Sequence, residues 1–318
     1  MHEPASDRLA AETYRRSRGA WRIFALVAVA LAILVGLGRF AWPEGAGAPY
    51  IARLVIDGTI ATDRARLAAM EALVKDESVA AVIVAINSPG GTTAGGEELY
   101  EALTRLRAAH PTVAVIDELG ASAAYMSAIA TDRVLARRLS IVGSIGVLYQ
   151  HVNAGKLLDT IGVGLDKVAS GPLKAEPDIN EPMEGPARDS IAALVDDSFQ
   201  WFVDIVAERR NLERAAALRL ADGRIVTGRV GVQNGLIDAI GGEREALDWL
   251  AEAREIAPDL PVRTVWPLPS GGIDFIGTFL GSFLGSFLGE QARIALGMPQ
   301  RTIPLDGLVS LWQVDARF

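Results

Sequence analysis

The sequence predicts an α/β fold of parallel βαβ units, preceded by one N-terminal transmembrane helix. Three observations carry that expectation. From Tyr50 onward, short runs rich in Val, Ile and Ala alternate with stretches of helical periodicity, the order that builds a parallel sheet. The runs VAAVIVAIN and TVAVID are apolar almost without a break, as strands buried on both faces must be. Residues 23–38, IFALVAVALAILVGLG, carry no charge, which is what a bilayer core requires.

The elements follow in order. Residues 1–20 form a basic leader with Arg8, Arg15, Arg16 and Arg18, which predicts a cytoplasmic N-terminus. Residues 21–42 are the anchor. Trp21 and Trp42 bracket it, and its length is close to the ~20 residues that span a bilayer. A cleaved signal peptide competes with this reading, because Ala46-Gly47-Ala48 resembles a cleavage site. The long leader and the rigid Pro49 favour an uncleaved anchor. The expected location is the cytoplasmic (inner) membrane in a single pass, with everything after Pro49 on the outer, periplasmic side.

Past the PEGAGAP linker, YIARLVIDG reads as a strand and DRARLAAMEALVKD as a helix with Leu67, Met70 and Leu73 on one face. Strand VAAVIVAIN, helix GEELYEALTRLRAAH and strand TVAVID follow, then helix YMSAIATD and strand DRVLA. Next come SIVGSIGVLYQ, a helix around NAGKLLDTIG and a strand around GLDKVAS. The long amphipathic helix RDSIAALVDDSFQWFVDIVAERR, the segments ERAAALRLADGR and GVQNGLIDAI, a helix GEREALDWLAEARE and a strand near PVRTVW complete one domain over residues 49–268. In the tail, residues 269–318, Gly277, Gly281, Gly285 and Gly289 repeat every four residues within FIGTFLGSFLGSFLG. A glycine face allows close helix approach, and about 15 residues are too few to span a bilayer comfortably. The tail is expected to be an oligomer contact or a membrane-surface segment.

Composition removes several function classes. The chain has 318 residues, half of them hydrophobic, and a net charge of −8, so nucleic acid is not an expected partner. It has no cysteine and only three histidines, His2, His110 and His151. That excludes thiolate metal sites and cysteine nucleophiles, and makes a multi-histidine metal site hard to build.

Two glycine-rich corners remain. Asn87-Ser-Pro-Gly-Gly91 follows the strand AVIVAI. It is a turn by composition. As a phosphate loop it fails, since no Gly-Lys-Ser/Thr follows and GGTTAGG lacks the Gly-x-Gly-x-x-Gly spacing. Glycines can also aim backbone N–H groups at a carbonyl oxygen. The second corner, GASAAYMS, puts Ser122 between a strand and a helix start. There a serine is either an ordinary N-cap or a nucleophile beside free N–H groups.

Taken together, INSPGG at 86–91, GASAAYMSAIATDRVLA at 120–136, GSIGVLYQ at 143–150, SGPLK at 170–174 and DGRIVTGRVGVQNGLID at 222–238 resemble the S49 family of serine peptidases, the signal peptide peptidases, within the ClpP/crotonase superfamily. The resemblance covers roughly residues 50–245. It implies a ClpP/crotonase-like α/β fold and a Ser–Lys dyad. Ser122 matches the family nucleophile and Lys174 its general base, while Ser144 matches a serine that helps hold the lysine amine. The oxyanion donors would be the N–H groups of Gly91, or its neighbour Gly90, and of Ala123. The family usually has Gly-Gly after the nucleophile; this chain has Ala123-Ala124, whose methyls would narrow the pocket.

The residues themselves leave the base open. His2 lies in the cytoplasmic leader, His110 precedes Pro111 at the start of a strand rather than its end, and His151 reads as a surface residue. A lysine serves only when neutral. Its ordinary pKa of about 10.4 must fall by about 3 units, a shift that burial can supply. Glu176 and Asp178 would oppose that fall, so they must point away. Nothing but the resemblance selects Lys174 over Lys156 or Lys167. The resemblance further implies that the lysine comes from a neighbouring subunit in a ring of about eight chains. The expected activity is endopeptidase cleavage of signal-peptide remnants and other hydrophobic peptides at the membrane lipid, with no metal or cofactor. A crotonase-like acyl-CoA enzyme and a non-catalytic membrane-tethered ring scaffold are the alternatives.

Overall fold

The computed structural model describes residues 47–267, the helical residues 26–27 and the short strand Val309–Leu311. The chain divides into two compact units, Met1–Ala48 and Pro49–Phe318. The expected 21–42 anchor, except residues 26–27, and the glycine-faced tail lie outside the described residues. Among the described residues no helix is long and apolar enough to cross a membrane.

The second unit is a mixed α/β fold. Its strands are β1 (Tyr50–Asp57), β2 (Val79–Ser88), β3 (Gly90–Thr92), β4 (Thr112–Ala121), β5 (Arg133–Ala136), β6 (Ile141–Gly143), β7 (Ile225–Thr227), β8 (Ala239–Ile240), β9 (Val262–Trp266) and β10 (Val309–Leu311). The helices are α1 (Arg64–Val74), α2 (Thr93–Ala109), α3 (Ala123–Ile129), α4 (Gly155–Ile161), α5 (Gly185–Arg209), α6 (Arg214–Leu220), α7 (Gly228–Gln233) and α8 (Glu243–Arg254). The main sheet runs β7-β6-β4-β2-β1-β9, with β5 and β8 attached beside β4. All its pairings are parallel except β6–β7.

The near-continuous apolar runs are explained by a sheet covered on both faces. Ala52, Leu54, Val82, Val84, Ile86, Ala114 and Ile116 enter one core with α1, α2, α3 and α5. The alternate residues Ile51, Ala81, Ile83, Val113 and Val115 enter a second core beneath Ala246 and Leu250 of α8. Period-two alternation sends neighbours to opposite faces, so here both must be apolar.

β4 changes partner along its length. Val113–Ile116 pair with β5, whereas Leu119–Ala121 pair with β6. Against β2 the register jumps from Ile86↔Ile116 to Ser88↔Gly120, so residues 117–119 bulge out. The Ser140 hydroxyl fixes the bulge by donating to the Asp117 carbonyl at 2.5 Å. The jump carries the end of β4 towards β6 and delivers the Ser122 corner there.

One expected element is absent. The GLDKVAS segment, read as a strand, is an exposed stretch without regular structure; Val163, Leu165 and Val168 face outward. Its strand-like composition finds no neighbouring edge among the described residues, and a lone strand cannot satisfy its backbone. Conversely, β3 and β7 are too short to carry a periodic signal.

Candidate active site

The site is built where β2 and β4 end side by side. Ser88 is paired with Gly120, two residues before Gly90 and Ser122 respectively. Past those points both chains turn sharply. Gly90 has φ +101° and Ser122 has φ 59°, a left-handed value that non-glycine residues adopt at a cost of order 1–3 kcal/mol.

Ser122 stands at the N-cap position of α3, but its side chain makes no capping hydrogen bond and its backbone is not extended. The ordinary account of a serine at a helix start therefore does not fit it. Its N–H donates to the Gly143 carbonyl at 2.8 Å, and its carbonyl accepts from Met126 at 2.9 Å, so the strained corner is held on both sides. Ser122 is 1% exposed. The first-turn N–H groups of α3, Ala123's among them, have no carbonyl four residues back within the helix.

The methyl of Ala123 faces the neighbouring helix. Ala123 and Ala124 are both fully buried. A Cβ placed on Gly96 of α2 would come within 2.9 Å of the Ala123 methyl and 3.1 Å of Met126 Sδ. The Ala123 methyl is thus received by a glycine on the neighbouring helix, a packing partner that the sequence analysis did not identify.

The Gly90–Gly91 strand is laid on Ile60. The Ile60 N–H donates to Gly90 at 2.8 Å, and its carbonyl accepts from Thr92 at 2.9 Å. Backbone groups alternate along a strand, so Gly91 presents its own N–H and carbonyl to the other edge. That edge pairs antiparallel with β10, Ser310 opposite Gly91. Gly90 differs: its N–H donates to the Ser88 hydroxyl at 3.1 Å, which leaves Gly91 as the glycine with an N–H turned to the edge that β10 takes. Ser88 is a site residue that went unassigned, although a serine two residues before a glycine in NSPGG is the signal of a side-chain-stabilised turn.

Ser144 lies beside this corner, buried and with φ 52°. Its N–H donates to the Arg224 carbonyl at 2.8 Å. Gly143, which accepts from Ser122, directly precedes it, so residues 143–144 link the two serines through the backbone.

The structure does not bury Lys174. It lies in a turn, its N–H donating to the Gly171 carbonyl at 3.1 Å, on an outward arm over residues 150–184. The carboxylates expected to disturb it are engaged elsewhere. Lys167 Nζ lies 2.5 Å from both Glu176 Oε1 and Asp178 Oδ2. These two hydrogen bonds push the Lys167 amine up from its ordinary value, the wrong direction for a neutral base. Lys156 is exposed on α4.

His2 lies outside the described residues, and the two described histidines stand apart. His110 ends α2 with Nε2 2.8 Å from the Leu73 carbonyl, at the start of β4 and so at the opposite end of the strand from Ser122. His151 Nε2 meets the Glu181 carbonyl at 3.0 Å. Among the described residues no three acidic or histidine side chains cluster to hold a metal. An open cleft of about 580 Å³ is lined by Arg137, Arg138, Leu139, Ile240, Gly241, Gly242 and Glu245. None of the serines of the corner borders it.

Comparison with known proteins bears on the family of the chain. The family model described as Peptidase family S49 matches residues 104–257, a span that holds Ser122, Ser144 and Lys174. A candidate protease of Synechocystis is 35% identical over 211 residues, 66% of this chain and 76% of that protein. A candidate signal peptide peptidase, SppA, of Enterococcus faecium is 30% identical over 230 residues, 67% of this chain and 66% of that protein. Among solved structures, a ClpP1 mutant from Listeria monocytogenes superposes with a TM-score of 0.41 at 14% identity, covering 61% of this chain and 92% of that one.

Proposed function

This chain belongs to peptidase family S49 and is a serine peptidase, and on that premise we propose that Ser122 is its nucleophile and Lys174 its general base. One observation carries the reading. Ser122 is a buried serine in a strained conformation whose side chain does not cap the helix it precedes, at the end of the strand beside Gly90–Gly91. Strain of this kind persists where the surroundings over-determine it.

In this reading Ser122 Oγ attacks the peptide carbonyl and its proton passes to the Lys174 amine. The N–H groups of Gly91 and Ala123 receive the oxyanion, and Gly90, its N–H held by Ser88, shapes the turn between them. The protonated lysine hands its proton to the leaving amine. The same lysine then activates water against the acyl-enzyme. Ser144 holds the amine. The outer edge of β3, which takes β10 antiparallel, suits an extended peptide equally well.

An exposed lysine is a poor base, and the proposal supplies its burial from a second subunit. Val152, Leu157, Ile161 and Val168 all face outward on the arm that carries Lys174. Such an apolar run calls for a partner surface. We propose a ring in which each arm reaches a neighbour's Ser122. The chain would be anchored by residues 21–42 in the cytoplasmic membrane. Its ClpP/crotonase-like domain would stand outside and degrade signal-peptide remnants and other hydrophobic peptides.

The test is peptide cleavage by wild type, Ser122→Ala, Lys174→Ala and Lys167→Ala across pH. Ser122→Ala and Lys174→Ala are expected to abolish turnover, while Lys167→Ala keeps it. Wild-type activity should climb from neutral to alkaline pH, as a lysine base requires. Full turnover by Lys174→Ala would end the dyad reading.

A further inference from the structure

We infer that Arg66 is a positioning residue for the oxyanion strand: its guanidinium fixes the Ile60–Ala61 segment on which Gly90–Thr92 is laid. The inference rests on the reading of Gly91 as an oxyanion donor.

Arg66 sits in the first turn of α1 yet is only 7% exposed. Burial draws its guanidinium below the ordinary arginine range, while the Asp63 and Glu98 carboxylates push the other way. A charge is removed from water only at a substantial cost, so its partners matter. Nη2 donates to the Ala61 carbonyl at 2.7 Å and lies 3.8 Å from Glu98 Oε1. Glu98, on α2, also accepts the Asp63 N–H at 2.9 Å. Asp63 in turn caps α1 by accepting from Ala65 and Arg66 at 2.9 and 3.1 Å. One guanidinium thus joins α1, α2 and the 60–63 connection.

What this connection does is set by how closely it approaches the site. Ile60 bonds both Gly90 and Thr92. A Cβ on Gly91 would lie 1.7 Å from the Ile60 carbonyl oxygen, and a Cβ on Gly95 would lie 2.7 Å from Ala61. The two glycines therefore rest directly on the backbone of residues 60–61, with no side chain between to absorb movement. A shift of Ala61 is transmitted to Gly91, whose N–H faces away from Ile60. Among the described residues, buried Arg66 Nε has no hydrogen-bond partner.

The experiment compares full-length wild type, Arg66→Met, Arg66→Lys and Ser122→Ala on one hydrophobic peptide, with a fluorophosphonate endpoint to count competent Ser122. Loss of a whole oxyanion donor lowers kcat by about 100- to 1,000-fold, so a displaced one is expected to lower it about tenfold in Arg66→Met. KM and the labelled endpoint should stay at wild type, and Arg66→Lys, which retains one donor for Ala61, should recover part of the loss. Wild-type kcat in Arg66→Met, or a fall matched by the labelled fraction, overturns the inference. Should Arg66→Met fail to accumulate, Arg66→Lys decides by the same measures: wild-type kcat overturns, and lowered kcat at constant KM supports. Turnover that survives in Ser122→Ala removes the proposed mechanism and this inference with it. An inactive Ser122→Ala beside an unaffected Arg66→Met removes this inference alone.

Discussion

Replacing Gly91 by alanine adds one methyl at the tightest contact around the site. That methyl would stand 1.7 Å from the Ile60 carbonyl oxygen. Ordinary contact begins near 3.4 Å, so strand and connection must separate by about 1.7 Å. The hydrogen bonds from Ile60 to Gly90 and from Thr92 to Ile60, now 2.8 and 2.9 Å, do not survive such a displacement. At about 1 kcal/mol net each, the stability loss is about 2 kcal/mol. A domain of this size loses about 2–4 °C in Tm per kcal/mol, so the melting point should fall by about 4–8 °C. The larger effect is kinetic. An N–H moved this far no longer meets the oxyanion, and loss of one such donor costs about 100- to 1,000-fold in kcat. The assay is kcat at 25 °C, corrected by the fluorophosphonate endpoint, with a thermal melt alongside. A folded Gly91→Ala enzyme with wild-type kcat would refute both the contact and the donor role.

Gly96→Ala drives a methyl against the Ala123 methyl and Met126 Sδ and should destabilise by about 1–3 kcal/mol. Because the two positions touch, Ala123→Gly in the same chain should restore part of the loss in a double-mutant cycle followed by thermal melts. Tyr50 tests the alkaline limb. Burial first, then its hydrogen bond to Asp76, pushes its hydroxyl up to about 12, against an ordinary value of about 10. The folded chain thus keeps a proton that the unfolded chain releases. The resulting stability is complete below pH 10 and is lost as pH climbs towards 12. Urea melts of Tyr50→Phe should show a shallower fall across that window. Some fall remains, because burial also raises the Tyr125 hydroxyl.

The order of the elements was legible because the sheet is covered on both faces. β1, β2 and β4 must then be apolar at nearly every position, and the connecting helices need an apolar stripe at helical spacing. The GLDKVAS segment misled for the same reason in reverse. Its composition suits a strand, but pairing needs a neighbour with a free edge, and no local pattern can report one. The two glycine corners also stood out as sequence, since sharp turns restrict residue type.

What the amino-acid order alone determined is the set of parts: the βαβ alternation, the NSPGG and GASAAYMS corners, and the absence of cysteine and of a usable histidine. Tertiary structure decided which backbone group each part offers. Gly91 is separated from Gly90 only because Ser88 and Ile60, nearly thirty residues apart in the chain, both engage the backbone of Gly90 and leave that of Gly91 to the other edge. Lys167 is separated from Lys174 only because its amine reaches Glu176 and Asp178. Both distinctions depend on hydrogen bonds and ion pairs at about 3 Å, and those of Ile60 and Lys167 join residues whose spacing along the chain carries no signal.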